Sequence, residues 1–374
     1  MRSVEEFFAD IEDPRRAADC GLPGRPLEHP MAEVLFAALC AALCGCRDFD
    51  DIAEFAELRL DFLRRYLAYA RGAPSHSTFR RVFRLVRPEP FERLLAETAG
   101  LVAAGGHVAI DGKALRGSAD AARGGPALAS LCAFATEAGL VLAQVPLTGG
   151  HAGEIPALAG LLDRLELRGR PVTLDALHCQ RETAAALAAA GAQYCLALKR
   201  NRPEMHEDVG LFLADPAAAV ARSAAVVDGD HGRVETRRAV VSTDIAWLAE
   251  RHAWPGLAAI GAVERERETR AGTSRETQLY LLGHAFAPED LLRLSRRHWA
   301  IENELHWVLD VSMGEDASQV RRDHAGRNLA TLRRSALNVL RKNRTKKPMS
   351  RRMFRALLDD RNLEALVQDM LGQL

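Results

Sequence analysis

The sequence has no long apolar run. Its longest nearly apolar stretch, Val34 to Cys46, is 13 residues, short of the ~20 that a membrane-spanning helix needs. No apolar h-region follows the opening Met1-Arg-Ser-Val-Glu-Glu, which predicts no secretory leader and a cytoplasmic, non-membrane protein. Cysteine is scarce and lacks a framework. There are seven, an odd number, and none forms a CxxC pair. Cys40, Cys44 and Cys46 fall within an apolar helical pattern and read as core thiols in a reducing compartment. Net charge is also missing, with 50 Lys+Arg against 50 Asp+Glu. What remains is an ordinary globular composition, 48% hydrophobic and 27% charged over 374 residues. It predicts two or three domains and excludes disorder.

The charge is unevenly placed. From Ser318 to Arg355 there are thirteen basic residues and one acid, Asp323, a net of +12, so the rest of the chain carries −12. Such asymmetry points to a polyanion partner more strongly than the total does. The bland alternative is a solvated helix face followed by a tail.

Residues 1–98 have helical periodicity throughout. Pro30 opens a strongly apolar helix over 31–44, and Asp48 or Asp50 can cap a second over 51–70. Gly72-Ala-Pro-Ser-His-Ser-Thr is a turn with Ser75 or Ser77 as helix cap. The helix after it carries Arg80, Arg81, Arg84 and Arg87. A turn followed by an arginine-rich helix fits a helix-turn-helix reader of DNA, and equally an amphipathic helix with an arginine outer face.

After Gly105-Gly106 the pattern turns to strands. His107–Asp111 is a strand, 128–135 and 140–147 form a hairpin, 152–167 is helix, Pro171–Asp175 is strand, 181–190 is helix and 193–199 is strand. This is an α/β layer with three antiparallel strands joined to two parallel ones. From about 212 to 285 the signal is β without helices, and alternation puts Arg233, Glu235 and Arg237 on one face. Helix returns over 288–340, broken near Gly314 and Gly326. The stretch 342–352 reads as basic linker, and a last helix runs over 353–371. No internal repeat is present.

Two acids end strands, Asp111 and Asp175. The first and fourth strands should be neighbours, and sites form at strand carboxyl ends. Two aspartates side by side repel unless a cation lies between them, and hard oxygen ligands suit Mg²⁺ or Mn²⁺. A third acid, Glu302, lies in His298-Trp-Ala-Ile-Glu-Asn-Glu-Leu-His306-Trp-Val-Leu-Asp310. Positions 298, 302, 306 and 310 share one helix face. Each acid alone could be a turn, a cap or a solvated ion pair. Together they are the set that a two-metal phosphoryl-transfer site uses.

Further stretches complete a family pattern: Ile11-Glu-Asp-Pro-Arg, Ala109-Ile-Asp-Gly-Lys-Ala-Leu-Arg-Gly-Ser118, Thr173-Leu-Asp-Ala-Leu-His-Cys-Gln180, Tyr194-Cys-Leu-Ala-Leu-Lys199, Gly229-Asp-His-Gly-Arg-Val-Glu-Thr-Arg237 and Glu315-Asp-Ala-Ser318. With the segment around Glu302, the chain resembles insertion-sequence DDE transposases of the ISAs-type, H-repeat-associated subfamily over essentially its whole length. The resemblance implies an N-terminal all-helical domain (1–98) for DNA ends and a ribonuclease H-like catalytic domain (105–345). It also implies a β-rich insertion at about 212–285 and a basic linker with a C-terminal helix (346–374). It implies Asp111, Asp175 and Glu302 as the triad holding two Mg²⁺ or Mn²⁺ ions, and DNA cleavage with strand transfer. The partners implied are double-stranded DNA, as element ends and target, and a second copy of the chain when ends are paired. The location implied is the cytoplasm, at the nucleoid. Related transposases often carry a Tyr-Arg-Glu-Lys signature; here Ser295, His298 and Leu309 stand at its Tyr, Arg and Lys places. After Lys199 comes Arg200-Asn201-Arg202 where the subfamily usually has Gly-Asn-Gln.

The candidate DNA contacts are Lys113, Arg116 and Lys199 beside the acids, and His298. They also include His231 and Arg233 in the insertion, Arg80, Arg81 and Arg84 near the N-terminus, and Arg341, Lys342, Lys346 and Lys347 in the basic run. The run from Ser318 to Arg355 is expected to be exposed and to line the groove leading to Glu302. Trp299 and Trp307 are expected as core anchors. Three other readings stay open. One is a domesticated DNA-binding remnant, one a two-metal nuclease without strand transfer, and one a zinc site on His298, Glu302 and His306, although the HExxH order is absent.

Overall fold

The structure, a computed structural model, describes residues 2–15, 27–100, 106–120, 124–147, 153–230, 233–270, 272–343 and 345–372. Among the described residues six helices come first: α1 (Val4–Phe7), α2 (Met31–Leu43), α3 (Phe49–Leu58), α4 (Leu60–Leu63), α5 (His76–Leu85) and α6 (Pro88–Ala99). Their starts follow local chemistry. Ser3 and Glu6 form a reciprocal capping box, Asp48 accepts from the Asp50 and Asp51 amides, and Ser75 caps α5. The helix expected over 51–70 is interrupted at Arg59. Helix α2 is apolar on nearly every side and buried along its length.

The β1 (Val108–Leu115), β2 (Leu128–Ala135) and β3 (Leu140–Leu147) strands form an antiparallel meander. Helix α7 (Glu154–Leu162), β4 (Pro171–Leu174), α8 (Arg181–Ala189) and β5 (Gln193–Leu198) follow, with β4 parallel to both β1 and β5. The order β3-β2-β1-β4-β5 makes this a ribonuclease H-like core. The insertion begins after α9 (Pro203–Ala214) and contributes β6 (Ala221–Arg222), β7 (Val226–Asp230), β8 (Arg233–Ser242), α10 (Ala246–His252), β9 (Ala259–Thr269) and β10 (Gly272–Leu282). One helix, α10, therefore interrupts a stretch expected to be purely β. Because β10 pairs antiparallel with β5, the insertion extends the core sheet to ten strands among the described residues.

Side-chain alternation assigns the two faces. Val108, Ile110, Leu131, Ala133, Val172 and Leu174 pack into one core with residues of α7 and α8. The residues between them turn to the other face, where Ala109, Cys132 and Phe134 join the helical core. Asp111, Lys113 and Thr173 continue that second series.

The chain ends in helices: α11 (Pro288–His298), a π-turn over Ile301–His306, α12 (Trp307–Val311), α13 (Ala325–Lys342), α14 (Met349–Leu358) and α15 (Asp360–Leu371). The segment expected as basic linker is thus helical from Met349. Gly326 lies inside α13 instead of breaking it. A Cβ there would collide with the Val320 carbonyl oxygen and come within 2.5 Å of Leu128 Cδ1, so the close approach explains the glycine. Helix α13 packs against α2, α5, α6, α15 and β3. One apolar core joins α1–α6 to α13–α15 and reaches Ala109, Phe134 and Val141 on the sheet. The helices of the N-terminal region are thereby built into the same body as the C-terminal ones. Asn338 of α13 accepts from the Val141 amide and donates to its carbonyl, both at 2.9 Å, closing part of the outer edge of β3.

Candidate active site

A cavity of about 760 Å³ opens on the second face of the sheet. Asp111, near the middle of β1, Asp175, one residue past β4, and Glu302, in the π-turn, all line it. Asp175 also caps a short 3-10 turn, accepting from the Leu177 amide at 3.1 Å and the His178 amide at 3.4 Å. His306 donates from Nδ1 to Glu302 Oε2 at 3.3 Å and lies 3.7 Å from Asp111 Oδ2. One ligand atom from each of Asp111, Glu302 and His306 falls within 4.8 Å of the others; Asp175 faces the same cavity outside that cluster.

The electrostatics suit a cation. Burial pushes the Asp111 carboxyl up to about 8, and the neighbouring charges of Glu302 and Asp175 add to the shift. Glu302 is held below its ordinary range, chiefly by the His306 hydrogen bond. The two carboxylates are coupled, so a proton on one relieves the other, and a divalent ion would do the same. The donors present fit Mg²⁺ or Mn²⁺, since carboxylate oxygens dominate and His306 already spends its Nδ1 on Glu302. The zinc reading fits less well. His298 lies outside the ligand cluster, with its Nδ1 on Thr173 Oγ1 at 2.9 Å.

Much of the remaining lining is basic. Lys199 at the end of β5, Arg237 of β8, Arg265 and Arg267 of β9, and Arg296 and Arg297 of α11 line the cavity. Glu235 is buried beneath them, 2.5 Å from Arg237, 3.5 Å from Arg265 and 4.0 Å from Arg267.

A family model described as Transposase DDE domain matches residues 103–339, and one described as DDE_Tnp_1-associated matches residues 5–98. The chain belongs to the DDE transposase family. It is 31% identical to the Putative transposase YncI of Escherichia coli O157:H7, over 91% of this chain and 88% of the relative. It is 30% identical to the H repeat-associated putative transposase YhhI of Escherichia coli K12, over 91% and 93%. A Xanthobacter autotrophicus protein named Uncharacterized protein in dhlA 3'region is 38% identical over 77% of this chain and 97% of the relative. This DDE transposase falls within the H repeat-associated subfamily.

The structure relocates several expected DNA contacts in this transposase. Lys113 is buried, its ammonium donating to both Asp310 oxygens at 2.6 and 2.7 Å, so it serves inside the protein rather than on a phosphate-contacting surface. Arg116 is exposed but turns to Asp316 at 3.6 Å. Lys199 is exposed at the cavity. His298 is half-buried and held by Thr173. His231 lies outside the described residues, as does the side chain of Arg233. Arg80 and Arg81 are exposed on α5, whereas Arg84 pairs with Asp323 at 2.6 Å.

The basic run needs the largest correction. Arg333 and Arg334 are buried in the core, and Arg334 pairs at 2.7 Å with Glu315, also buried. Arg341 donates to the carbonyls of Gly139 and Glu304, and Arg352 to those of Leu340 and Lys347. Lys342 is half-buried; Lys346 and Lys347 are exposed. No described residue of 318–355 lines the cavity beside Glu302. Packing explains this, because α13 crosses the centre of the helical core and its arginines serve that core. Trp299 and Trp307, expected inside, are each 57% exposed.

Sequence reasoning leaves His306 and Asp310 without a role in the two-metal reading, although their spacing of four and eight residues from Glu302 is plain. It misses Arg265 and Arg267, whose alternation with Val263 is the available signal.

Proposed function

We propose that this transposase binds double-stranded DNA at the ends of a mobile element, cuts it with Asp111, Asp175 and Glu302, and joins the freed 3′ end to target DNA. The observation that carries this reading is the cavity that gathers three carboxylates, on β1, just past β4 and in the π-turn, together with five arginines. Asp111, Asp175 and Glu302 would hold two Mg²⁺ or Mn²⁺ ions. Such ions, when bound, supply charge neutralisation on the phosphate and Lewis-acid activation of the attacking oxygen. The protein's own part is positioning. The sheet fixes both aspartates, His306 orients the Glu302 carboxylate, and Lys113 is held beside the site by Asp310.

The arginine wall would neutralise the DNA backbone as it enters, and Arg80 and Arg81 on α5 are candidates for reading the end. Two ends handled together require two copies of the chain on DNA. Among the described residues no helix is long and apolar enough to cross a membrane, and a DNA substrate would place the protein at the nucleoid.

Purified protein incubated with end-containing duplex and Mg²⁺ should release 3′-hydroxyl ends and join them to a second duplex. Asp175→Ala should abolish cutting while DNA binding persists. Full cutting in excess chelator would overturn the metal mechanism. Cutting without joining would reduce the protein to a nuclease.

A further inference from the structure

A line of polar side chains runs beneath the three acids and ends at the cavity. Thr136 Oγ1 lies 3.0 Å from His107 Nδ1, His107 Nε2 lies 2.8 Å from Thr173 Oγ1, and Thr173 Oγ1 lies 2.9 Å from His298 Nδ1. His107 immediately precedes β1, which carries Asp111. Thr173 lies on β4 two residues before Asp175. His298 ends α11, four residues before Glu302. The line therefore ties together all three acid-bearing elements.

Its polarity can be worked out from one end. Glu137 Oε2 accepts from the His107 backbone amide at 2.9 Å and from Thr136 Oγ1 at 3.1 Å. A carboxylate and a carbonyl oxygen only accept, so the single hydroxyl proton of Thr136 goes to Glu137 or to the His107 carbonyl oxygen 3.5 Å away, and in either case is spent. Thr136 Oγ1 must then accept from His107 Nδ1–H. Burial disfavours the charged form of both histidines, pushing His107 down to about 3 and His298 down as well, against the pull of Asp175 and Glu302. A neutral His107 that donates from Nδ1 accepts at Nε2, so Thr173 donates to it. Thr173 has no second hydroxyl proton and accepts from His298 Nδ1–H. The remaining nitrogen, His298 Nε2, carries a lone pair. It has no hydrogen-bond partner among the described residues, and its ring lines the cavity.

We infer that this line fixes His298 in one tautomer and presents its Nε2 lone pair to the cavity, where it accepts a hydrogen bond from the attacking hydroxyl of water or of a DNA 3′ end. The inference rests on the proposed triad reading. His298 is then a catalytic residue, and Thr173, His107 and Thr136 are positioning residues acting through it. An arginine, which occurs at this place in the Tyr-Arg-Glu-Lys signature, could only donate. The histidine reverses the hydrogen-bonding sense of the position.

The test uses four variants of the full chain and a histidine-selective ¹⁵N spectrum of the metal-free protein. The parent spectrum should contain a ring assigned to His298, by its loss in His298→Asn, with Nδ1 protonated and Nε2 bare. His298→Asn retains an amide donor near the Nδ1 place and has nothing at Nε2. It should melt and bind Mn²⁺ as the parent does while cutting roughly a hundredfold more slowly. Thr173→Val should shift the His298 ring toward mixed tautomers and slow cutting, and Thr173→Ser should restore both. A bare Nδ1 in the parent, or parental cutting by His298→Asn, would overturn the inference. Failure of the triad reading looks different: Glu302→Gln would cut like the parent, or the parent would not cut at all, while the ¹⁵N result would still report the tautomer.

Discussion

Two arginine-rich regions of this transposase do opposite work. In α13, Arg333 and Arg334 are buried in a packed core and bond to the loop before α3 and to Glu315, while the half-buried Arg341 donates to backbone carbonyls. On β8 and β9 they line an open cavity that three carboxylates share. By sequence count the first region is the stronger polyanion signal. By placement it is the second, where alternating Glu and Arg mask one another in any local charge sum. Charge density along a chain therefore says little until the path of the backbone decides which guanidinium groups reach solvent.

The largest effect should come from the buried side of the comparison. Glu315→Gln leaves the Arg334 guanidinium without its partner in the core. It should cost about 3–5 kcal/mol, read as a large drop in melting temperature. An unchanged melting temperature would show that the core around α13 is wet. Arg265→Ala with Arg267→Ala should behave in the reverse way. Arg237 remains to partner Glu235, so stability should move by less than about 0.5 kcal/mol. Duplex affinity should fall, and the salt dependence should flatten by about 0.9 for each phosphate no longer neutralised.

The acid wall has its own signature. Asp111 holds its proton up to about 8 in the folded chain, against about 4 in an unfolded one. A raised carboxyl stabilises fully below the unfolded value, and that contribution is lost as pH rises through the folded value. Asp111→Asn should therefore raise the melting temperature of the metal-free protein at pH 7–8 by a few degrees, with the difference vanishing near pH 4. Added Mg²⁺ should stabilise the parent and leave the variant unmoved. No gain at pH 8 would mean that Asp111 is better solvated than its surroundings indicate.

The smallest effect belongs to Lys346→Ala with Lys347→Ala, exposed and outside the cavity lining. Stability should be unchanged within about 0.5 kcal/mol, and any loss of affinity should be equal for all duplex sequences. A salt-slope change as large as that of the Arg265/Arg267 variant would invert the comparison.

The same contrast explains what could be read in advance. The order of strands was legible because period-two patterns, turn glycines and the βαβ rule act locally, so Asp111 and Asp175 could be set at neighbouring positions. The common face of His298, Glu302, His306 and Asp310 was legible from spacing. Partnerships across long separations were not. Nothing near Lys113 announces Asp310, 197 residues on, and nothing near Arg334 says that Glu315 will be dry. Trp299 and Trp307 failed for a related reason, since apolar area is a tendency to be buried and not an instruction.

The π-turn at Ile301–His306 sets the phase of this whole wall. In a regular α-helix each four-residue step overshoots a full turn by about 40°, so three steps from His298 would carry Asp310 roughly a third of the way around the axis. A π-turn winds less per residue and takes back part of that drift. His298 can thus meet Thr173 on β4 while Asp310, twelve residues later, still meets Lys113 on β1. The helix behaves as two segments clocked separately, with Glu302 at the join. Its side chain answers to both clocks, and a one-residue deletion in the turn would put them out of step without altering a single acid.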